Sequence, residues 1–221
     1  LFVDGATGEP IAFESGEVVL AGYTGRDQKL VQEHVDELLK IGVPAPERVP
    51  CYYSVTPALV VANDAIDVLG HETSGEVEFI LLQTGDELYF GLGSDHTDRG
   101  LERLSVTHAK QVCAKVVCPQ LWRYAEAAAH WDRLVLRAFA GDERKLYQEG
   151  PVTAMLDPQD ILARVAERTG RGTQGVLVFS GTLPIIGEVR YSERFAAELC
   201  DETNGLRLSL DYTVNVVDPL D

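Results

Sequence analysis

Three carboxylates carry the most pointed chemistry in this sequence. Glu76 and Glu78 open an otherwise apolar run, Val77 to Gln83, and a second run from Glu87 to Leu92 leads into Ser94-Asp95-His96-Thr97-Asp98-Arg99. Side chains of a strand alternate between its faces, so Glu76 and Glu78 point the same way while Val77 and Phe79 point oppositely. Thr84-Gly85-Asp86 is a turn signal that predicts a return hairpin. A turn centred there sets Glu76 opposite Gly93, a step or two from Asp95, and gathers three carboxylates at one end of the hairpin. Like charges brought that close raise one another's pKa unless a cation joins them. An open-sided set of oxygen donors suits Mg²⁺, Mn²⁺ or Ca²⁺, with water or substrate completing the shell. A plain strand end whose acids face water explains the Glu-x-Glu pair alone equally well.

The elements that must position these acids are mostly strands. Runs rich in Val, Ile, Leu, Phe and Tyr, punctuated by Gly, Asp and Pro, predict strands at Glu17–Ala21, Val49–Ala62, Glu76–Gln83 and Glu87–Leu92. Further strands are expected at Leu134–Ala138, Gly175–Ser180, Phe195–Cys200 and Leu206–Val217. Two helices are expected. In Gly25–Ile41, Leu30, Val31, Val35, Leu38 and Leu39 recur at helical spacing, with Thr24 and Asp27 in the positions of a capping box. Asp157-Pro158, a carboxylate cap followed by proline at the first helical position, opens the second, which runs through Ile161, Leu162 and Val165. The chain is therefore β-rich α+β with few helices, lacking the strand–helix alternation of a doubly wound sheet. Thr169-Gly-Arg-Gly-Thr-Gln-Gly175 invites a phosphate-loop reading, but without Gly-Lys-[Ser/Thr] it reads as a helix-to-strand connection.

The chain has 221 residues, and 35 acidic against 19 basic side chains leave a formal charge of -16. Such a field repels phosphate backbones and anionic lipid, which argues against nucleic-acid and membrane partners, but it does not repel divalent cations. Cys51, Cys113, Cys118 and Cys200 show no Cys-x-x-Cys pair, and buried free thiols are expected. Leu1-Phe2-Val3-Asp4-Gly5 lacks the basic and apolar regions of a signal peptide, and together these features predict a cytoplasmic setting. No Pro/Ser linker divides the chain, so one domain over residues 1–221 is expected, with 1–60 as a possible small annex. Trp122 and Trp131 read as core or interface aromatics.

With these residues in view, the sequence resembles the fumarylacetoacetate hydrolase superfamily, and within it a bacterial branch with no assigned substrate. The likeness runs over about residues 20–216. The Glu-x-Glu strand and the Asp95…Arg99 phrase match family motifs, which implies Glu76, Glu78 and Asp95 as ligands of a divalent metal (Mg²⁺ or Mn²⁺, with Ca²⁺ open) and Arg99 at the substrate. Lys110-Gln-Val-Cys-Ala-Lys115 matches the family's lysine segment; Lys110 is the better-placed catalytic lysine and Lys115 a second candidate. Tyr147-Gln148-Glu149-Gly150 resembles a Gln-containing hairpin and Ser180-Gly181-Thr182-Leu183-Pro184 a Thr-Gly-Thr-Pro loop, implying that Gln148 and Thr182 touch substrate. His34 and Glu37 keep the spacing of a catalytic dyad on a lid helix, though His34 also suits the apolar face beside Val31 and Leu38. Where relatives place a Phe-x-Lys, this chain has Tyr52-Tyr53-Ser54.

The resemblance implies a mixed β-sandwich or roll of the superfamily's C-terminal type and a homodimer, for which the apolar C-terminal strand would suit an interface. It implies a metal-dependent hydrolase that cleaves a carbon–carbon bond in a β-diketo or acylpyruvate-type acid. Decarboxylation, isomerisation or hydration of a 2-oxo acid uses similar chemistry, and a non-catalytic metal- or ligand-binding relative would keep the same acids.

Overall fold

A computed structural model describes residues 1–13, 16–40 and 45–218, apart from the side chains of His34, Glu37 and Leu38. The chain opens with β1 (Phe2–Asp4), β2 (Pro10–Ile11), β3 (Glu17–Gly22), α1 (Gln28–Lys40), β4 (Cys51–Val55) and β5 (Val60–Val61). It continues through β6 (Ala65–Leu69), β7 (Thr73–Ser74), β8 (Val77–Thr84), β9 (Glu87–Asp95), β10 (Thr97–Asp98), α2 (Arg99–Glu102) and α3 (Val106–Gln111). Then come β11 (Lys115–Val117), β12 (Gln120–Arg123), α4 (Tyr124–Ala127), β13 (Leu134–Ala140) and β14 (Lys145–Pro151). The last elements are α5 (Pro158–Thr169), β15 (Val176–Phe179), β16 (Arg194–Asp201) and β17 (Leu206–Val217).

Ten strands form one mixed sheet in the order β2-β1-β12-β9-β8-β15-β3-β4, with β11 paired to β9 and β5 to β11. Five more form a second sheet, β14-β13-β16-β17-β6. Apolar side chains from opposite ends of the first sheet, Phe2 and Ile11 at one side and Val18, Leu20 and Val55 at the other, share one buried cluster with Ile80, Leu82 and Phe179. A flat sheet cannot bring its ends together, so this sheet curls around that cluster. Its convex face, with Val77, Phe79, Leu81, Phe90 and Leu92, packs on Leu136, Ala138, Leu199, Leu210 and Tyr212 of the second sheet. The fold is therefore β-rich, two curled layers with few helices.

Burial on both faces explains why β8 reads as a continuous apolar run. Its even residues line the concave face and its odd residues the convex one, so Glu78 stands on the concave side, directly beyond Ile80. Gly93 of β9 lies beneath it, where an added Cβ would stand 2.7 Å from both Ile80 and Phe179.

Several expectations need correction. The expected strand Val49–Ala62 is two strands: β4 pairs with β3 and β5 with β11, and the turn Pro57–Leu59 between them moves the chain from one neighbour to the other. Helix α1 starts three residues late, because Asp27 accepts from the backbone of Lys29 and Leu30 as its cap while Thr24 donates to the Ser180 carbonyl. Leu30 and Leu39 are exposed, and only Val31 and Val35 of the expected stripe are seen buried. In β17 the apolar residues Leu208, Leu210, Tyr212 and Val214 point into the core, and Arg207, Ser209, Thr213 and Asn215 are outward, with Leu206 and Val217 exposed at the two ends of the strand. Asp157 caps α5 as expected, and Gly170 (φ +66°) ends it ahead of β15. All four cysteines are buried and free, and Trp131 is packed edge-on against Phe79, Phe90 and Tyr124. Among the described residues no helix is long and apolar enough to cross a membrane.

Candidate metal centre

The β8–β9 hairpin closes through Gly85-Asp86, with Thr84 paired to Glu87. Its register sets Glu78 opposite Gly93 and, one step beyond the ladder, the Asp95 N–H donates to the Glu76 carbonyl at 3.0 Å. The expected pairing of Glu76 with Gly93 is thus two residues off, and the shift brings Asp95 directly beside the glutamates. One carboxylate oxygen from each of Glu76, Glu78 and Asp95 lies within 4.8 Å of the others.

Three cations surround them. Arg99 reaches Glu76 Oε1 at 3.1 Å and is itself held by Ser74 Oγ at 2.7 Å and Glu102 at 3.0 Å. Lys110, on the short helix α3, contacts Glu76 Oε2 at 3.4 Å and Asp95 Oδ2 more closely. Lys115, the cross-strand partner of Asp95 on β11, reaches its Oδ1 at 2.8 Å. The two lysines that the sequence left as alternatives therefore share one carboxylate.

Glu78 differs from its neighbours. It is 2% exposed, accepts the Gly181 N–H at 2.7 Å, and has no ion-pair partner among the described residues. Burial and then the Asp95 charge push its pKa well above the ordinary glutamate value, against a smaller opposing pull from Lys110. For Glu76, burial acts in the same direction but Arg99 and Lys110 outweigh it and hold the carboxyl low. Burial is likewise outweighed at Asp95, by Lys110 and Lys115. A buried carboxylate without a cation, beside two more, is the arrangement a small divalent ion would complete. The donors are hard oxygens, so the residues fit the group.

A hydrogen-bonded layer behind the acids fixes them. Gln148 is buried; its Oε1 accepts the Val77 N–H at 3.0 Å and its Nε2 donates to Thr182 Oγ1 at 2.8 Å and the Leu183 carbonyl at 2.6 Å. Thr182 donates to the Val77 carbonyl at 2.7 Å. Both side chains, expected at the substrate, are placed here as braces of the strand that carries Glu76 and Glu78. Gly181 (φ +87°) has no room for a side chain, since a Cβ would stand 2.4 Å from Thr24 Oγ1. His96 is buried, bonded to Tyr212 and Thr73 at 2.9 Å each, and burial, with Lys115 and Arg99, lowers its pKa to about 3. It is a neutral core imidazole pointing away from the acids.

The segment leading into α1 is tied toward this region by two side chains, Thr24 donating to the Ser180 carbonyl and Arg26 to the Met155 carbonyl at 2.9 Å. The side chains of His34 and Glu37 lie outside the described residues. Sequence reasoning missed Ser74, Gly181 and the cluster of Tyr23, Cys51 and Tyr53, all three close enough to Lys110 to feel its charge. Tyr23 carries one signal visible only in three dimensions, a left-handed backbone (φ 57°) that a bulky residue rarely adopts.

The family described as a protein of unknown function (DUF2848) matches residues 21–212. No curated protein matches the sequence. Solved structures share the fold at low identity. A yeast fumarylacetoacetate hydrolase family protein is 13% identical with a TM-score of 0.66, over 91% of this chain and 94% of that one. Maleylpyruvate hydrolase from Sphingobium sp. SYK-6 is 14% identical with a TM-score of 0.65, over 92% and 72%. A 2-keto-3-deoxyarabinonate dehydratase is 17% identical with a TM-score of 0.64, over 92% and 74%.

Proposed function

The chain belongs to the DUF2848 family of proteins of unknown function, and we propose that it is a divalent-metal-dependent enzyme that hydrolyses a carbon–carbon bond in a β-diketo or acylpyruvate-type acid. The observation that carries this reading is the buried Glu78, left without a cation beside Glu76 and Asp95. Those three residues would hold Mg²⁺ or Mn²⁺, with Ca²⁺ compatible with the same donors. When bound, such an ion supplies Lewis acidity to the keto and carboxylate oxygens of a 2-oxo acid.

The remaining roles fall to the chain's own groups. Glu37 orients His34, which takes a proton from the attacking water. The water oxygen bonds to the distal carbonyl carbon, and the neighbouring carbon–carbon bond breaks with its electron pair left on the 2-oxo fragment. His34 returns the proton to that carbon, giving a carboxylic acid and a shorter 2-oxo acid. Lys110, whose side chain keeps 10% exposure, donates to the negative charge that develops on substrate oxygen. Arg99 holds Glu76, while Gln148 and Thr182 keep the glutamate strand in place. A homodimer acting on a small 2-oxo acid belongs to the same reading.

Fold likeness to a dehydratase as well as to a hydrolase favours a second reading, a lyase or isomerase of 2-oxo acids at the same centre. Incubating Mn²⁺-loaded protein with acylpyruvates and with oxaloacetate, and identifying the products, separates the two. Acid fragments from acylpyruvates support hydrolysis; turnover of oxaloacetate alone supports the second reading. No turnover of any 2-oxo acid, with metal bound, overturns both and leaves a non-catalytic binding protein.

A further inference from the structure

Lys115 is a charged side chain with no solvent exposure, and no step above uses it. Strand alternation puts Val116 in the inter-sheet core and Val117 in the concave cluster, so Lys115 shares the concave face with Asp95, its cross-strand partner. An apolar residue would pack there at no electrostatic cost, whereas a buried ammonium must be compensated. It is compensated by Asp95 Oδ1 at 2.8 Å and the His96 carbonyl at 2.6 Å. Both partners belong to the ligand segment itself. Lys110 holds the other oxygen of Asp95 from a short helix and keeps some exposure. Of the two ammonium groups on Asp95, Lys110 is therefore the one that can give way to an incoming ion, and Lys115 is the one that cannot.

We propose that Lys115 is a positioning residue of the metal centre, pinning Asp95 so that only Oδ2 faces the ion, and that its fixed charge weakens the site's grip on the metal. The inference rests on the metal-centre reading above. Arg99 already offsets Glu76, and a second enclosed cation, on Asp95, lowers further the negative charge that the three carboxylates present to a divalent ion and makes the ion exchangeable.

The test is a Mn²⁺ titration, by calorimetry and by loss of the free-ion spin-resonance signal, of the wild type, Lys115→Met and Lys115→Arg. Folded Lys115→Met is expected to bind Mn²⁺ at least about tenfold more tightly, and Lys115→Arg, which keeps the charge, to bind within a few-fold of wild type. Unchanged or weaker binding by folded Lys115→Met overturns the proposal while leaving the metal centre standing. If Lys115→Met does not fold, Lys115→Gln, which keeps a donor for the His96 carbonyl, takes its place under the same expectation. Failure of both neutral variants to fold while Lys115→Arg folds makes the lysine purely structural and overturns the proposal. Absence of binding in wild type and in the folded neutral variant alike overturns the metal-centre reading itself; binding that appears only in the neutral variant supports the attenuating role.

Discussion

Glu76 and Glu78 stand two residues apart on one strand face, yet their carboxyl groups are driven in opposite directions. Burial raises both; Arg99 and Lys110 together reverse it at Glu76, whereas at Glu78 the Asp95 charge adds to it and the pull of Lys110 is too small. In the folded, metal-free protein Glu78 thus keeps its proton to higher pH than in the unfolded chain. Between the ordinary glutamate range and that raised value the folded state binds more protons than the unfolded one, so this group's contribution to stability falls as pH rises. An entering cation must expel the same proton, so apparent Mn²⁺ affinity should climb with pH across that window and level off above it. Glu78→Gln should abolish the climb along with most of the affinity, leaving metal-free stability equal or higher because a buried uncompensated charge is gone. Calorimetric titrations at a series of pH values, with thermal melts of both proteins, check this. At this scale the carboxylates were legible because a polar pair at the head of an apolar run is conspicuous. The division of labour between Lys110 and Lys115 was not, since it depends on a helix and a strand delivering the two side chains to opposite oxygens of Asp95.

The β8–β9 hairpin shows what an element adds. A turn signal at Gly85-Asp86 was readable, but its two-residue closure, which decides the register, moves every pairing and sets Asp95 rather than Gly93 beside Glu76. The same hairpin depends on Gly93, where there is space for hydrogen alone over Ile80 and Phe179. Gly93→Ala should cost about 1–3 kcal/mol in urea unfolding, and should weaken Mn²⁺ binding as Glu78, its cross-strand neighbour, is displaced. Unaltered stability would mean that the concave face is looser than drawn. The long central strands and α5 were visible in sequence through their apolar runs and cap. Short strands such as β1, β11 and β12, three or four residues within the large sheet, carry too few residues for a periodic signal, and pairing with neighbours defines them.

Across the whole molecule the charge of -16 sets a field that draws cations in and pushes anions away. Arg99, Lys110 and Lys115 offset that field locally, each paired with a carboxylate of the centre. Because the ion would bind the folded state alone, a hundredfold excess over Kd should stabilise the protein by about 2.7 kcal/mol, seen as a higher Tm with Mn²⁺ or Mg²⁺ that vanishes in Asp95→Asn. The composition pointed to cations rather than anions as partners; the curl of the sheet, which brings its two ends around one cluster, was beyond any local pattern. The most direct measurement is an anomalous difference map from crystals soaked in Mn²⁺. One peak within about 2.0–2.4 Å of oxygens from Glu76, Glu78 and Asp95 together, with Lys110 displaced, is the predicted result; a map with no peak there, or one bound by other residues, contradicts the account.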